Sequence, residues 1–159
     1  MKKWYLFAII ICIIGILFFL YKGKEETKVY SFSGSSDELK IHNGVIILSP
    51  KKQVVYGGEV EYIGPKRTHI KTYFKSIYLN DEEAIVLKSS VSNGVKGDGL
   101  SFPAELKLNK ENGSISSEEL LTEQQIKELK ENLYYQLEMI MDDGENIKLP
   151  LRLEVHEIK

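Results

Sequence analysis

The stretch that decides the fold is residues 53–63, which read QVVYGGEVEYI. Two short apolar arms lie on either side of the glycine pair at 57–58, and such a pair can take the positive φ angles of a two-residue hairpin turn. The second arm alternates polar and apolar side chains, as a half-buried strand does. We therefore expect a β-hairpin at this point, in which Tyr56 pairs with Glu59.

The sequence on the N-terminal side of this stretch also indicates strands. Residues 38–42 alternate polar and apolar types, and residues 45–48 form an apolar run of Val, Ile, Ile and Leu. The pair at 43–44, Asn-Gly, is a turn signal, and Ser-Pro at 49–50 ends the apolar run. We expect two strands here, separated by a turn.

Further strands are predicted on the C-terminal side. Residues 69–79 and 84–91 favour a second hairpin around the polar tip at 80–83. Residues 92–99 contain several turn-forming types and predict a loop. A short apolar and polar alternation at 104–108 follows Pro103 and predicts one more strand.

One long helix is predicted after these strands. Thr122 and Gln125 fit a capping box, and Gly144 is suited to end a helix in the left-handed conformation. The apolar stripe expected for a helix over 122–141 consists of Ile126, Leu129, Leu133, Leu137, Ile140 and Met141. Residues 149–155 then alternate again and predict a final half-buried strand.

Together these patterns predict an α+β fold. We expect one mainly antiparallel, sandwich-like β domain over residues 29–159, with a long amphipathic helix before the last strand. The helix must cover its apolar stripe, and the sheet is the large apolar surface that it can pack against.

A single N-terminal transmembrane helix is predicted to precede this domain. Residues 4–21 contain no charged side chain, and they follow Met-Lys-Lys at residues 1–3. A helix needs roughly 20 apolar residues to cross a bilayer. Large side chains suited to anchoring the segment in the membrane stand at its two ends: Trp4, Tyr5, Phe18, Phe19 and Tyr21. Residues 22–28 form a short polar stalk.

We expect this segment to be retained as a signal anchor. Its apolar run is longer than that of a cleavable signal peptide, and no small-residue cleavage site follows it. Cys12 follows three isoleucines and lacks the small preceding residue that lipid attachment requires. Lysines are balanced on the two sides of the span, so the positive-inside rule does not orient it. The three-residue N-terminal tail favours a cytoplasmic N-terminus and an extracytoplasmic domain.

The charge of the domain argues against nucleic acid as a partner. The chain contains 21 Lys and Arg against 23 Asp and Glu, and four of the lysines precede residue 25. Residues 25–159 therefore carry a net charge near −6, with no clustered basic face for phosphate groups. This balance also disfavours a domain that lies flat on an anionic membrane.

No catalytic or metal-binding motif is found in the sequence. The domain has no cysteine, no Gly-x-Ser-x-Gly and no phosphate-binding glycine loop. His42, His69 and His156 are far apart and lack ligand-like spacing. We assign no catalytic residue, no cofactor and no metal, and we expect a protein that is not an enzyme.

Two acidic segments support an alternative function, that of a hydrolase. Asp98 lies between glycines in a predicted loop, and residues 142–146 collect three acids and an amide. The second segment does not fit a calcium-binding EF-hand loop, and a helix end explains it. If these acids converged in space, the protein would be an envelope-associated hydrolase with loop-borne acidic residues. The tyrosines of the strand region offer either contact surface or buried rings.

The chain resembles small exported proteins of Gram-positive bacilli. The resemblance rests on residues 31–36, 43–52, 56–58 and 62–64, with a weaker likeness at 151–155. It implies a β-rich extracytoplasmic domain held at the membrane by a lipid or by one N-terminal helix, and it carries no catalytic residue. We accordingly expect a single-pass protein of the cell membrane, an interaction domain whose partner is an envelope protein or a cell-wall polymer.

Overall fold

The computed structural model describes residues 26–80, 84–92, 100–102, 111–118 and 120–159. Several predictions lie outside these residues. They are the transmembrane helix over 4–21 with its anchor residues Trp4, Tyr5, Phe18, Phe19 and Tyr21, most of the loop over 92–99 with Asp98, and the strand over 104–108. Within the described residues, no helix is long and apolar enough to cross a membrane.

The described chain consists of eleven strands and one helix. In chain order they are β1 (Lys28–Ser35), β2 (Leu39–Ser49), β3 (Lys52–Tyr56), β4 (Glu59–Tyr62), β5 (Arg67–Leu79), β6 (Ala84–Ser92), β7 (Leu100–Phe102), β8 (Ser114–Ser117), α1 (Glu123–Asn132), β9 (Leu133–Met141), β10 (Asn146–Arg152) and β11 (Glu154–Ile158). The predicted mainly antiparallel β fold with a helix is therefore confirmed in this part of the chain.

The strands form two antiparallel sheets. The first has the order β11-β1-β2-β3-β8, and β4 also pairs with β2. The second has the order β10-β9-β5-β6, and β7 also pairs with β5. The predicted second hairpin is confirmed as the β5–β6 pair. Buried side chains from both sheets form one hydrophobic core, as in a sandwich-like arrangement.

Aromatic rings connect the two sheets inside this core. Phe102 of the second sheet lies 5.2 Å from the ring of Tyr62 in the first sheet and 5.0 Å from the ring of Tyr73. These centroid distances are those of favourable aromatic pairs. The helix adds Leu129, which is fully buried. The core thus extends from β4 to the helix.

The predicted hairpin at Gly57 and Gly58 is wrong. Tyr56 pairs with Val45, and Glu59 pairs with His42, so β3 and β4 lie end to end along β2 instead of folding onto each other. A glycine pair supplies positive φ angles for a bulge as readily as for a turn. The long apolar β2 offers both arms a partner, and the chain therefore continues along it.

The predicted turn at Asn43-Gly44 is a distortion within the continuous strand β2. Asn43 has a φ of 58°, which is left-handed, and Gly44 follows it. The ring of Phe32 lies over Gly44, so closely that a Cβ atom at residue 44 would be 2.1 Å from a ring carbon. The distortion stands where β2 changes partner from β4 to β3.

The predicted long helix is also wrong in its extent. The capping box of Thr122 and Gln125 is confirmed, but the helix ends at Asn132 and residues 133–141 form β9. A four-residue spacing such as Leu133 to Leu137 suits a helix, yet it is an even number and also suits the two-residue period of a strand. β9 lies between β5 and β10, so hydrogen bonds to both neighbours stabilise the extended form.

Three strands therefore follow the helix instead of one. Gly144, with a φ of 91°, belongs to the turn between β9 and β10 and does not end a helix. The predicted final strand over 149–155 is two strands, one in each sheet. At the crossing point the N–H of Leu153 donates to the carbonyl of Leu133, over 2.9 Å. The predicted burial of alternate side chains holds for Leu151, Leu153 and Val155.

Candidate functional site

Residues 111–113 contact the first sheet at the glycine pair between β3 and β4. The N–H of Gly57 donates to the carbonyl of Gly113 over 2.8 Å, and the N–H of Asn112 donates to the carbonyl of Gly58 over 2.9 Å. The side-chain amide of Asn112 donates to the carbonyl of Gly57. A Cβ at residue 57 would lie 2.6 Å from the Cβ of Asn112, so this close approach requires glycine.

This meeting point carries a cleft of about 310 Å³, which we name the junction cleft. It is lined by Asn43, Tyr56, Gly58, Glu59, Glu111, Gly113 and Ser114. Tyr56 is 49% exposed, one of the few large apolar side chains exposed on the described surface. The cleft thus offers an open aromatic ring beside carboxylate, amide and hydroxyl groups, a mixture typical of a binding site.

Two glutamates line the junction cleft at paired positions of the backbone. Glu59 and Glu111 are partners in an isolated β-bridge. His42 lies beside Glu59, with 3.6 Å between its Nε2 and a carboxylate oxygen. The two glutamates give the cleft hydrogen-bond acceptors and negative charge.

A buried lysine lies behind Glu111. The ammonium group of Lys75 donates to the backbone carbonyl of Glu111, and the side chain is only 4% exposed. Burial lowers the pKa of Lys75, and the nearby charge of Glu111 acts in the opposite direction. Lys75 therefore holds one wall of the cleft from the interior of the protein.

Other polar groups are buried in the core. Within the part of the chain that the structure describes, the hydroxyl of Tyr135 and the Oδ1 atom of Asn112 are buried and have no hydrogen-bond partner. Burial raises the pKa of Tyr135 well above its ordinary value, and the nearby Tyr73 adds to the effect. Leaving such groups without a partner costs free energy of folding. Lys75, Asn112 and Tyr135 are thus candidates for a role beyond simple packing.

A second cleft, of about 460 Å³, lies along β11, and we name it the edge cleft. It is lined by Lys130 and by the consecutive residues Arg152, Leu153, Glu154, Val155 and His156. Lys130 forms an ion pair of 3.1 Å with Glu157 and lies 5.9 Å from the ring centre of Tyr30. One wall is therefore the edge strand of the first sheet, and the other is the end of α1.

A polar cluster at the start of β5 is best explained as structural. Arg67 donates from its guanidinium group to Glu38, over 2.7 Å, and to the hydroxyl of Tyr62, over 2.8 Å. The hydrogen bond from Arg67 lowers the pKa of Glu38, against the opposing effect of burial. Burial raises the pKa of Tyr62. These contacts close the loop between β4 and β5.

The candidate residues from the sequence are scattered over the fold. His69 is exposed at the start of β5, 3.9 Å from Asp142, and His156 is exposed on β11. His42 lies beside Glu59 of the junction cleft, and His156 lines the edge cleft. Across the ranges 26–80, 84–92, 100–102, 111–118 and 120–159, no three His, Cys, Asp or Glu side chains are grouped to hold a metal ion.

The acids of residues 142–145 form the turn between β9 and β10. The N–H of Glu145 donates to the side chain of Asp143 over 2.9 Å, and Asp142 to Glu145 are all exposed. Hydrogen bonds of this kind are typical of turns. Asp98, with which these acids were expected to converge in the alternative hypothesis, lies outside the described residues.

Sequence reasoning missed Lys75, Glu111 and Asn112. A signal existed for Lys75, because it shares the inward face of β5 with Tyr73 and Ile77, and a lysine on the buried phase of a strand is unusual. Among the tyrosines, Tyr30, Tyr62, Tyr73, Tyr78 and Tyr135 are buried, whereas Tyr56 is exposed. Buried rings thus account for most of the tyrosines.

Comparisons with known proteins assign no family to this chain. No family model matches it, and no curated protein matches its sequence.

Proposed function

We propose that this chain is a binding domain held on the extracytoplasmic side of the cell membrane, and that its ligand occupies the junction cleft. The observation that carries the binding role is the cleft itself, in which the exposed ring of Tyr56 stands beside the carboxylates of Glu59 and Glu111. The ligand is an envelope polymer or protein that presents hydrogen-bond donors or a positive charge.

The chemistry of the cleft supports this class of ligand. Hydroxyl or amine groups of the ligand donate to the carboxylates of Glu59 and Glu111. The ring of Tyr56 accepts the apolar face of a sugar or, through a cation–π contact, an amine. Asn43, which lines the cleft, supplies a further donor and acceptor.

The tether rests on the sequence of residues 1–28. The uncharged segment 4–21 is long enough to span a bilayer, and the polar stalk over 22–28 leads directly to β1, which begins at Lys28. In this proposal the segment acts as a signal anchor and holds residues 29–159 outside the cytoplasm.

Binding is tested with the full chain, purified in detergent and incubated with isolated cell-wall polymer and with solubilised envelope proteins. We expect one of these fractions to retain the protein, and we expect Tyr56→Ala and the double variant Glu59→Gln with Glu111→Gln to reduce retention at least tenfold. Ile63→Ala is the matched control, because Ile63 is 48% exposed and does not line the cleft. Equal retention of all variants would contradict the proposed site.

The tether is tested separately. We expect the chain to sediment with membranes after a high-salt wash and to keep its N-terminal segment in intact-mass measurements. Protease added to cells without their wall should remove the domain. A mature protein shortened near residue 22, or a domain that the protease leaves untouched, would contradict the proposed location.

A further inference from the structure

Among the described residues, the strand β11 has a neighbouring strand on one side only. It pairs with β1 and stands at the edge of the first sheet. An edge strand presents backbone N–H and C=O groups that are free to pair with another strand. The edge cleft lies beside this strand, since three of its six lining residues, 154–156, belong to β11. A groove of this form suits an extended backbone.

Two other edge strands, β8 and β10, are less suited to strand addition. β10 contains Pro150, which lacks an N–H group and so interrupts a ladder. β8 is only four residues long. β11 is therefore more open to strand addition than β8 or β10.

We propose that β11 pairs with the β11 of a second copy of this chain, antiparallel and centred on Val155, so that the first sheets of two molecules form one continuous sheet. Such an interface is closed by a two-fold axis and uses the same surface of both copies. In this register Glu154 of one copy stands opposite His156 of the other, and the reverse pair forms at the same time.

Charge complementarity selects this register. Glu154, His156 and Ile158 are exposed, and they alternate with the buried Val155. Centring on Val155 creates two Glu–His pairs, in which the imidazole donates to the carboxylate. Centring on Glu154 would instead place two glutamates opposite each other, and like charges in that position are destabilising.

The same register explains an exposed apolar side chain. Ile158 is 54% exposed, the highest exposure among the large hydrophobic side chains of the described chain. When Val155 is at the centre, Ile158 lies beyond the paired residues 154–156, next to the point where the chain of the second copy passes from β10 to β11. Contact at this point would cover part of the Ile158 side chain.

The interface is tested by sedimentation of the full chain in detergent over a wide range of concentration. We expect a monomer–dimer equilibrium. Glu154→Lys puts lysine opposite His156 at both symmetric positions, and we expect it to raise the dimer dissociation constant about tenfold or more. The double variant Glu154→Lys with His156→Glu restores opposite charges in the swapped order, and we expect it to restore the dimer.

Glu145→Lys is the matched control, because it makes the same charge change in the exposed turn between β9 and β10 and should leave the dimer intact. Amide exchange in residues 154–158 should slow as the protein concentration rises. All three sites are exposed, so the variants should fold. A protein that stays monomeric, a dimer that Glu154→Lys does not weaken, or a failure of the double variant to restore pairing would each overturn the proposal.

Discussion

The ammonium group of Lys75 donates a hydrogen bond to the backbone carbonyl of Glu111 from inside the core. Lys75 belongs to β5 in the second sheet, whereas Glu111 forms a bridge with Glu59 of the first sheet. One buried side chain thus links the second sheet to the wall of the junction cleft. A substitution at Lys75 is therefore expected to change the position of Glu111 in the junction cleft.

Lys75→Met should loosen that wall. Methionine has a similar length but no donor, so the carbonyl of Glu111 loses a hydrogen bond, and we expect the free energy of unfolding to fall by about 1 kcal/mol. Amide exchange at Gly57 and Asn112 should become faster, and ligand retention should fall. Lys71→Met on the same strand is exposed and should change none of these quantities. Unaltered exchange at both amides would show that Lys75 does not position the wall.

Two tyrosine-to-phenylalanine variants should change stability in opposite directions. The hydroxyl of Tyr135 is buried and finds no hydrogen-bond partner among the described residues, so Tyr135→Phe should raise the free energy of unfolding by about 1 kcal/mol. The hydroxyl of Tyr62 accepts from Arg67 and lies 2.8 Å from the carbonyl of Pro65, so Tyr62→Phe should lower that free energy by about 1–2 kcal/mol. Urea denaturation measures both changes, and a loss of stability in Tyr135→Phe would contradict the first.

Stability in acid should depend on Glu38. Its pKa is lowered from 4.5, first by the hydrogen bond from Arg67, so the folded state binds fewer protons than the unfolded state. The stabilisation from this carboxylate is therefore present above about pH 4.5 and is lost as the pH falls through the lowered pKa. Glu38→Gln should be less stable than the parent at neutral pH, and the difference should shrink below pH 4.5.

Melting temperatures measured between neutral and acidic pH test this dependence. Glu61→Gln is the control, because Glu61 is exposed on the neighbouring strand β4. A difference between Glu38→Gln and the parent that stays constant over the whole range would argue against a lowered pKa at Glu38.

Gly58→Ala should destabilise the fold more than Gly113→Ala. Both glycines have positive φ, 69° and 85°, and an alanine there costs about 1–2 kcal/mol. At Gly58 the new Cβ would also lie 2.4 Å from the carbonyl oxygen of His42, whereas at Gly113 nothing lies within 4 Å. We expect the difference in unfolding free energy between the two variants to exceed about 1 kcal/mol. Equal losses of unfolding free energy in the two variants would show that the positive φ alone, and not the contact with His42, causes the destabilisation.

The sequence predicted local strand character well, because period-two alternation reports directly on one buried face. The β5–β6 hairpin and the burial of Leu151, Leu153 and Val155 follow from it. The capping box at Thr122 was also predicted, since all its contacts lie within one turn of helix. Such features depend only on neighbours in the chain.

Features that depend on distant partners were predicted poorly. The spacing of Leu133 and Leu137 fits both a helix and a strand. Hydrogen bonds from β5 and β10 to β9 stabilise the strand. The glycine pair at 57–58 fits both a hairpin and a bulge. Pairing with β2 and hydrogen bonds to the segment at 111–113 stabilise the observed conformation. The junction cleft is assembled by that same segment, so it could not be read from residues 53–63 alone.

The pairing of β1 with β11 gives the domain a direction in which it is mechanically weak. Val29 stands opposite Ile158, and Phe32 opposite Val155, so the start of β1 and the end of β11 lie side by side. Tension applied between these two ends loads one pair of residues at a time and peels the strands apart. Tension along the strands from opposite ends must break the whole ladder at once. Force applied between Lys28 and the end of β11 therefore meets little resistance from this pair of strands.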